Sequence, residues 1–111
     1  MIVLTLPLPP SVNACWANVP GKGRVRTKAY RDWIRTAGWE ATIATGGRRI
    51  VGAYRMRIEM SAPRMDIGNC EKPIGDLLQS LAIVENDRLM SELHVVRAEG
   101  PRGVRVEIEA L

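Results

Sequence analysis

The chain of 111 residues contains no Phe, two Tyr, three Trp, two Cys and one His. Two cysteines are too few for a disulfide framework, and one histidine beside them is too few for a structural zinc site. No apolar run approaches the roughly 20 residues of a membrane-spanning helix. The first ten residues also lack the basic start and apolar stretch of a signal peptide. These absences predict a cytoplasmic protein that does not enter a membrane.

What the chain does contain is typical of one globular domain. Hydrophobic residues make up 46% and charged residues 25%, which excludes a disordered or collagen-like chain. At roughly 100–200 residues per domain, we expect a single domain over residues 1–111.

Positive charge is concentrated in the first part of the chain. Residues 1–64 contain eleven Lys or Arg and three Asp or Glu, whereas residues 65–111 contain five and nine. Arginine outnumbers lysine thirteen to three, and its planar guanidinium suits phosphate oxygens. The distribution indicates either a polyanion-binding surface with carboxylates kept for a separate task, or merely a solvated basic surface.

Hydrophobic periodicity predicts an α+β fold. The last two predicted strands are joined by residues 99–103 as a hairpin. The element order β-α-β-α-β-β predicts a compact domain with two helices packed on a mixed sheet. In chain order the predicted elements are a strand over Ile2–Leu6, a loop over 11–27, a helix that Thr27 caps and Gly46 and Gly47 end, a strand over 54–60 that Pro63 closes, a helix over about residues 70–81 capped by Asn69, and strands over 93–98 and 104–110.

Two acidic segments flank the second predicted helix. Asp66 lies before it, and Asp87 follows 21 residues later. A helix of about 12 residues rises about 18 Å, and residues 82–87 can span up to about 20 Å when extended. Asp87 can therefore return to Asp66. Two such carboxylates suit Mg²⁺, which also binds substrate phosphate and polarises a phosphodiester.

Lys72 is placed to neutralise charge that develops on phosphoryl oxygens. Asp76 follows one helical turn later, where it can pair with Lys72. The alternative is that Asp66 and Asp87 are turn or capping residues. Lys72 and Asp76 would then form an ordinary exposed ion pair.

A set of basic residues in the predicted loop and first helix suits backbone phosphates of DNA, although a mobile basic loop that only aids solubility would have the same composition. Trp16, in the same loop, suits either base stacking or covering the core. The basic residues are Lys22, Arg24, Arg26, Lys28, Arg31 and Arg35.

Four segments, found in the family's order and distributed over residues 4–87, resemble the RusA-type Holliday-junction resolvases, a family of crossover junction endodeoxyribonucleases. They are the strand and turn Leu4-Thr5-Leu6-Pro7-Leu8-Pro9-Pro10-Ser11-Val12-Asn13, the helix start Ala29-Tyr30-Arg31-Asp32, the motif Asp66-x-x-Asn69-x-x-Lys72 with Asp76-Leu77-Leu78 after it, and Val84-Glu85-Asn86-Asp87.

The resemblance implies a RusA-like fold and a homodimeric endonuclease that depends on Mg²⁺ or Mn²⁺. Members of the family bind four-way or branched DNA and nick opposing strands, an activity of recombination and repair. Carried over by position, Asp66 and Asp87 are metal ligands and Lys72 is catalytic. Asn13 and Asn69 lie at motif positions that support the site, and Asp76 supports it from the following helix.

Gly68 departs from this family pattern, because it stands where the motif has a second Asp. Glu71 or Glu85 is then the substitute ligand, and Glu71 is favoured because it adjoins Lys72. Otherwise the metal site is incomplete and the protein is a catalytically impaired, structure-specific DNA-binding protein. A basic interaction module without a nucleic-acid role is a third hypothesis.

Overall fold

The computed structural model describes residues 1–62 and 64–111. Short 3-10 turns over Ile67–Asn69 and Asp87–Leu89 precede the third helix and the fifth strand. Within the described residues, six strands and three helices form: β1 (Ile2–Leu6), α1 (Val12–Cys15), β2 (Trp16–Val19), β3 (Gly23–Arg26), α2 (Lys28–Thr45), β4 (Tyr54–Ser61), α3 (Glu71–Ser80), β5 (Met90–Arg97) and β6 (Gly103–Ala110).

The main sheet is mixed and has the strand order β1-β6-β4-β5. β6 pairs antiparallel with both β1 and β4, whereas β5 pairs parallel with β4. The predicted α+β class with a mixed sheet is confirmed. The predicted hairpin between the last two strands is wrong, because β4 lies between them. Their side chains explain this: β6 buries Val104, Val106 and Ile108, while β5 exposes polar residues such as Glu92 and His94, as an edge strand does.

The core lies between one face of this sheet and the helices α2 and α3. Alternate strand residues face the helices because successive side chains of a strand point to opposite sides. The other face is charged, and Arg55 there forms an ion pair of 2.7 Å with Glu109. The buried strand residues are Ile2, Leu4, Leu6, Met56, Ile58, Met60, Val104, Val106 and Ile108.

Both predicted ends of α2 are confirmed. The Thr27 hydroxyl accepts a hydrogen bond from the Tyr30 N–H at 3.3 Å, and Gly46 ends the helix with a left-handed φ of 57°. Trp33 then joins α2 to the chain after β1, since its indole Nε1–H donates to the Pro7 carbonyl oxygen at 2.8 Å.

The prediction of a loop over residues 11–27 is wrong, because this segment forms α1 and a two-stranded sheet of β2 and β3. Gly21 and Gly23 adopt positive φ angles of 78° and 75°, which let the chain reverse between the strands. The Lys22 N–H donates to the Val19 carbonyl at 3.0 Å across the turn. The period-two spacing of the basic residues was the sequence signal for this hairpin.

Asn69 does not cap α3, contrary to the prediction. It ends the preceding 3-10 turn, and Cys70 takes the cap position without a side-chain capping bond. Pro73 lies in the first turn of α3, where the missing backbone N–H costs no helical hydrogen bond. The prediction that Pro63 closes β4 concerns a residue outside the described ones. Over the described ranges, no helix has both the length and the apolar character needed to cross a membrane.

Candidate active site

The outward side of α3 carries Lys72, Asp76 and Gln79. Their spacing of four and three residues places them on one face of a helix. The helix holds this face outward because Ile74, Leu77 and Leu78 bury the opposite side in the core. An amphipathic pattern thus fixes the orientation of the polar stripe.

Lys72 interacts with two carboxylates. Its Nζ donates to Asp76 Oδ1 at 2.9 Å and lies 3.6 Å from Asp87 Oδ2. The hydrogen bond to Asp76, together with the negative charges of Asp76 and Asp87, raises the pKa of Lys72 above its usual value. The lysine therefore stays charged at neutral pH and serves as a fixed cation rather than as a base.

Asp87 is positioned by backbone contacts on both sides of it. Its N–H donates to Gln79 Oε1 at 2.9 Å, which holds the returning chain against α3. The side chain of Asn86 accepts from the Arg88 N–H at 2.9 Å and caps the short turn that starts at Asp87. The chain after α3 thus runs back alongside the helix.

The acidic residues that were predicted as metal ligands have different surroundings. Asp66 is exposed before the 3-10 turn, and the part of the chain that the structure describes holds no group of three His, Cys, Asp or Glu side chains suited to a metal. A meeting of Asp66 with Asp87 stays a prediction. Glu85 accepts from the Gly52 N–H at 2.7 Å, so Glu71 is the freer of the two substitute candidates.

Tyr54, the first residue of β4, lies buried beneath these acidic groups. Burial raises the pKa of its phenol, and the nearby negative charges of Asp87 and Glu71 raise it further. Sequence reasoning missed Tyr54, which it assigned only to a strand face, and it missed Gln79. The helical spacing from Lys72 could have identified Gln79.

The donor set of this cluster fits a hard divalent cation. Mg²⁺ is typically bound by one or two carboxylates and keeps several waters. Asp76 and Asp87 already converge on one cation, the ammonium of Lys72. Asp76, which the sequence placed only in support of the site, therefore joins Asp87 as a candidate ligand, with Glu71 nearby.

The basic residues that were predicted to bind DNA divide into two groups. Lys28 and Arg35 both pair with Asp32, at 2.7 and 3.1 Å. Arg31 donates to the Arg26 carbonyl at 2.7 Å and ties α2 to the hairpin. The remaining three, Lys22, Arg24 and Arg26, are exposed on the hairpin and, among the described residues, form no ion pair with a carboxylate.

The hairpin and the carboxylate cluster lie at the same end of the molecule. Tyr30, in the first turn of α2, shows this because charged groups of the hairpin and of the cluster both act on the pKa of its phenol. Burial and the charge of Asp76 raise the pKa of its phenol, while the positive charges of Arg26 and Lys72 act to lower it.

The two asparagines that were predicted to support the site lie in different places. Asn13, in α1, lines a cleft beside the hairpin, and Asn69 donates its N–H to the Asp66 carbonyl at 3.0 Å.

No protein-family model matches this chain, and a search of curated proteins finds no match. The chemistry of the site therefore stands on its own residues.

Proposed function

We propose that this protein is a cytoplasmic, metal-dependent endodeoxyribonuclease that nicks four-way or related branched DNA. The observation that carries the proposal is the convergence of Asp76 and Asp87 on the charged Lys72, at the end of the molecule that also carries the basic hairpin. The resemblance of four sequence segments to RusA-type resolvases supports it further. A homodimer would supply two symmetric sites, one for each nicked strand.

The residues of the site divide the work of phosphodiester hydrolysis. A bound Mg²⁺ or Mn²⁺ would polarise the phosphodiester and supply an activated water. Asp87 and Asp76 would hold that ion with several waters, and Asp66 or Glu71 would join them only by moving closer, because the described residues form no three-ligand group. Lys72, which is protonated at neutral pH, would stabilise negative charge on the phosphoryl oxygens.

Asp87→Asn tests this assignment, with Asp32→Asn as the matched control. Asp32 also pairs with a lysine on a helix surface, but it lies in α2. Each protein is incubated with a labelled four-way junction and with a linear duplex of the same sequence, in Mg²⁺ and in EDTA. We expect paired nicks in the junction that require Mg²⁺. Asp87→Asn should cut at least about a hundredfold more slowly yet bind the junction, while Asp32→Asn should cut normally. Equal cutting by both variants would refute the proposal.

A catalytically impaired DNA-binding protein is the second candidate function. Two observations favour it. Residues 1–62 and 64–111 contain no three-ligand group for a metal, and Gly68 stands at the motif position for an Asp. A Cβ added at Gly68 would meet no atom within 4 Å, so a side chain can begin there without a clash.

Gly68→Asp, compared with Gly68→Ala, decides between the two functions. If the natural protein binds junctions without cutting them and Gly68→Asp alone gains Mg²⁺-dependent cutting, the impaired form is correct. If the natural protein cuts, that second candidate is refuted.

A further inference from the structure

The β2–β3 hairpin presents an aromatic ring among basic and amide side chains. Its register pairs Trp16 with Arg26 and Asn18 with Arg24, and directly paired residues of antiparallel strands point to the same side. A cleft of about 300 Å³ opens at this face, lined by Trp16, Asn18 and Arg24 and by Asn13 from α1. None of its lining residues is acidic, within the part of the chain that the structure describes.

Trp16 is partly buried and packs against the hydrophobic core, which holds its ring in place. Its ring is half-buried, and it packs against Tyr30 at 5.7 Å between centroids in an edge arrangement. The guanidinium of Arg24 lies over the ring, 5.0 Å from its centroid, and that of Arg26 lies at 5.8 Å. A planar base would take the place over the ring that the Arg24 guanidinium occupies, and that guanidinium would move to the phosphate of the same nucleotide.

These groups together match the parts of a nucleotide. Proteins bind unpaired bases by aromatic stacking combined with a positive groove for the backbone. Carboxamide side chains such as Asn13 and Asn18 can donate to and accept from base edges. The cleft has the volume of the smallest ligand pockets, about 300 Å³, which suits a single nucleotide. A paired base hides its faces in the stack, so the occupant must be unpaired.

The position of the cleft connects it to the candidate active site. The ring of Tyr30 contacts the ring of Trp16, and the charges of Asp76 and Lys72 act on the pKa of the Tyr30 phenol. A nucleotide stacked on Trp16 would therefore lie at the same end of the molecule as the carboxylate cluster. Base stacking is interrupted at the branch point of branched DNA, so a base leaves its pair more readily there than within a duplex arm.

We infer that this cleft binds one unpaired nucleotide at the branch point of DNA, with its base stacked on Trp16 and its phosphate held by Arg24 and Arg26. The inference rests on the proposed action on branched DNA, but it concerns recognition and not cutting. It therefore predicts binding behaviour that needs no metal.

The test compares two four-way junctions in EDTA, one with a single unpaired thymine at the branch point and one with an abasic site in its place. Stacking on an aromatic side chain typically changes affinity by about tenfold or more per base. We expect the natural protein to prefer the thymine junction by about that factor. Trp16→Leu should bind both junctions equally. Trp39→Leu is the control, because Trp39 is 70% exposed on α2, and it should keep the preference.

Trp16→Phe guards against a folding defect in the leucine variant. It retains a ring and part of the preference, and it allows a fluorescence measurement. Stacking of thymine should quench tryptophan emission in the natural protein and in Trp39→Leu, but not in Trp16→Phe. No preference in the natural protein, an unchanged preference in Trp16→Leu, or quenching that survives in Trp16→Phe would each overturn the inference.

These outcomes are separable from those of the nuclease test. A protein that shows base preference but never cuts in Mg²⁺ retains the nucleotide cleft and refutes the proposed activity. A protein that cuts junctions but shows no base preference has the activity without the cleft.

Discussion

Replacing Lys72 with Gln should strengthen divalent-cation binding while weakening catalysis. The Lys72 ammonium lies 2.9 Å from Asp76 Oδ1 and 3.6 Å from Asp87 Oδ2, so it competes with a metal for the same oxygens. In Lys72→Gln the two carboxylates lose this competitor. The variant also lacks the positive charge that we assign to the phosphoryl oxygens.

The size of the effect follows from how exposed the ion pairs are. The side chain of Lys72 is 61% exposed and those of both partners are 39% exposed. A pair of this kind contributes about 0.2–1 kcal/mol, since solvent screens it. Two pairs together amount to about 1 kcal/mol, and we expect Lys72→Gln to bind Mn²⁺ or Mg²⁺ roughly fivefold more tightly. Cutting at saturating metal should fall by about a hundredfold.

Calorimetric titration without DNA measures the first effect, and junction nicking at saturating Mg²⁺ measures the second. Lys28→Gln is the matched control, because Lys28 pairs with Asp32 at 2.7 Å with the same spacing in a helix. Its metal affinity should be unchanged. If Lys72→Gln binds divalent cations no more tightly than the natural protein, or if Lys28→Gln gains as much, the two carboxylates do not form the metal site.

Three further predictions concern stability and DNA binding. Trp33→Phe removes the indole hydrogen bond of 2.8 Å to the chain after β1 and should lower the unfolding free energy in urea by about 1–2 kcal/mol. The exposed control Trp39→Phe should change it by less than about 0.5 kcal/mol, and equal effects would contradict the assignment. Burial raises the pKa of the Cys70 thiol and that of the Tyr54 phenol above their usual values. Since these groups ionise more readily in the unfolded chain, the unfolding free energy should fall as the pH rises above about 9, and a flat profile to pH 10.5 would refute this. Arg24→Gln should reduce the slope of log affinity for DNA against log salt by about 1, and an unchanged slope would remove Arg24 from the phosphate-binding surface.

The regular core of the fold could be predicted from the sequence because its signals are local. β1, β4 and β6 alternate apolar and polar residues, and α2 carries an apolar stripe between a Thr cap and a terminal Gly. Each signal depends on residues a few positions apart. The predicted α+β class follows from these elements alone.

The order of the strands in the sheet could not be predicted in the same way, because it depends on which strands pair with each other. A five-residue connection between two strands favours a hairpin, yet β5 pairs with β4 and leaves β6 between β4 and β1. The difference lies in burial on the helix-facing side. Val104, Val106 and Ile108 of β6 are buried in the middle of the sheet, whereas the exposed polar side chains of β5 suit its place at the edge.

The candidate site was predicted in part, for a similar reason. Asp87, Lys72 and Asp76 could be named from the spacing along one helix and the length of the returning chain, and the structure brings these three together. The contact of the Asp87 backbone with Gln79 and the position of Tyr54 beneath the acidic groups depend on tertiary packing. No local pattern in the sequence carries that information.

In the proposed function, the basic hairpin and the carboxylate cluster act together because α2 packs near α3. A basic hairpin alone would bind any polyanion, and a carboxylate cluster alone would repel DNA. The charges of Arg26, Lys72 and Asp76 all act on the pKa of one phenol, Tyr30, so the positive hairpin and the carboxylates lie in the same region. In the proposed function, DNA drawn to the hairpin would arrive with its backbone next to the acidic cluster. A variant that removes the charges of both Arg24 and Arg26 should therefore lose cutting through weaker DNA binding, and cutting should recover at low salt, where the remaining electrostatic attraction is stronger. Loss of cutting that low salt does not restore would mean that the hairpin acts in the chemical step itself.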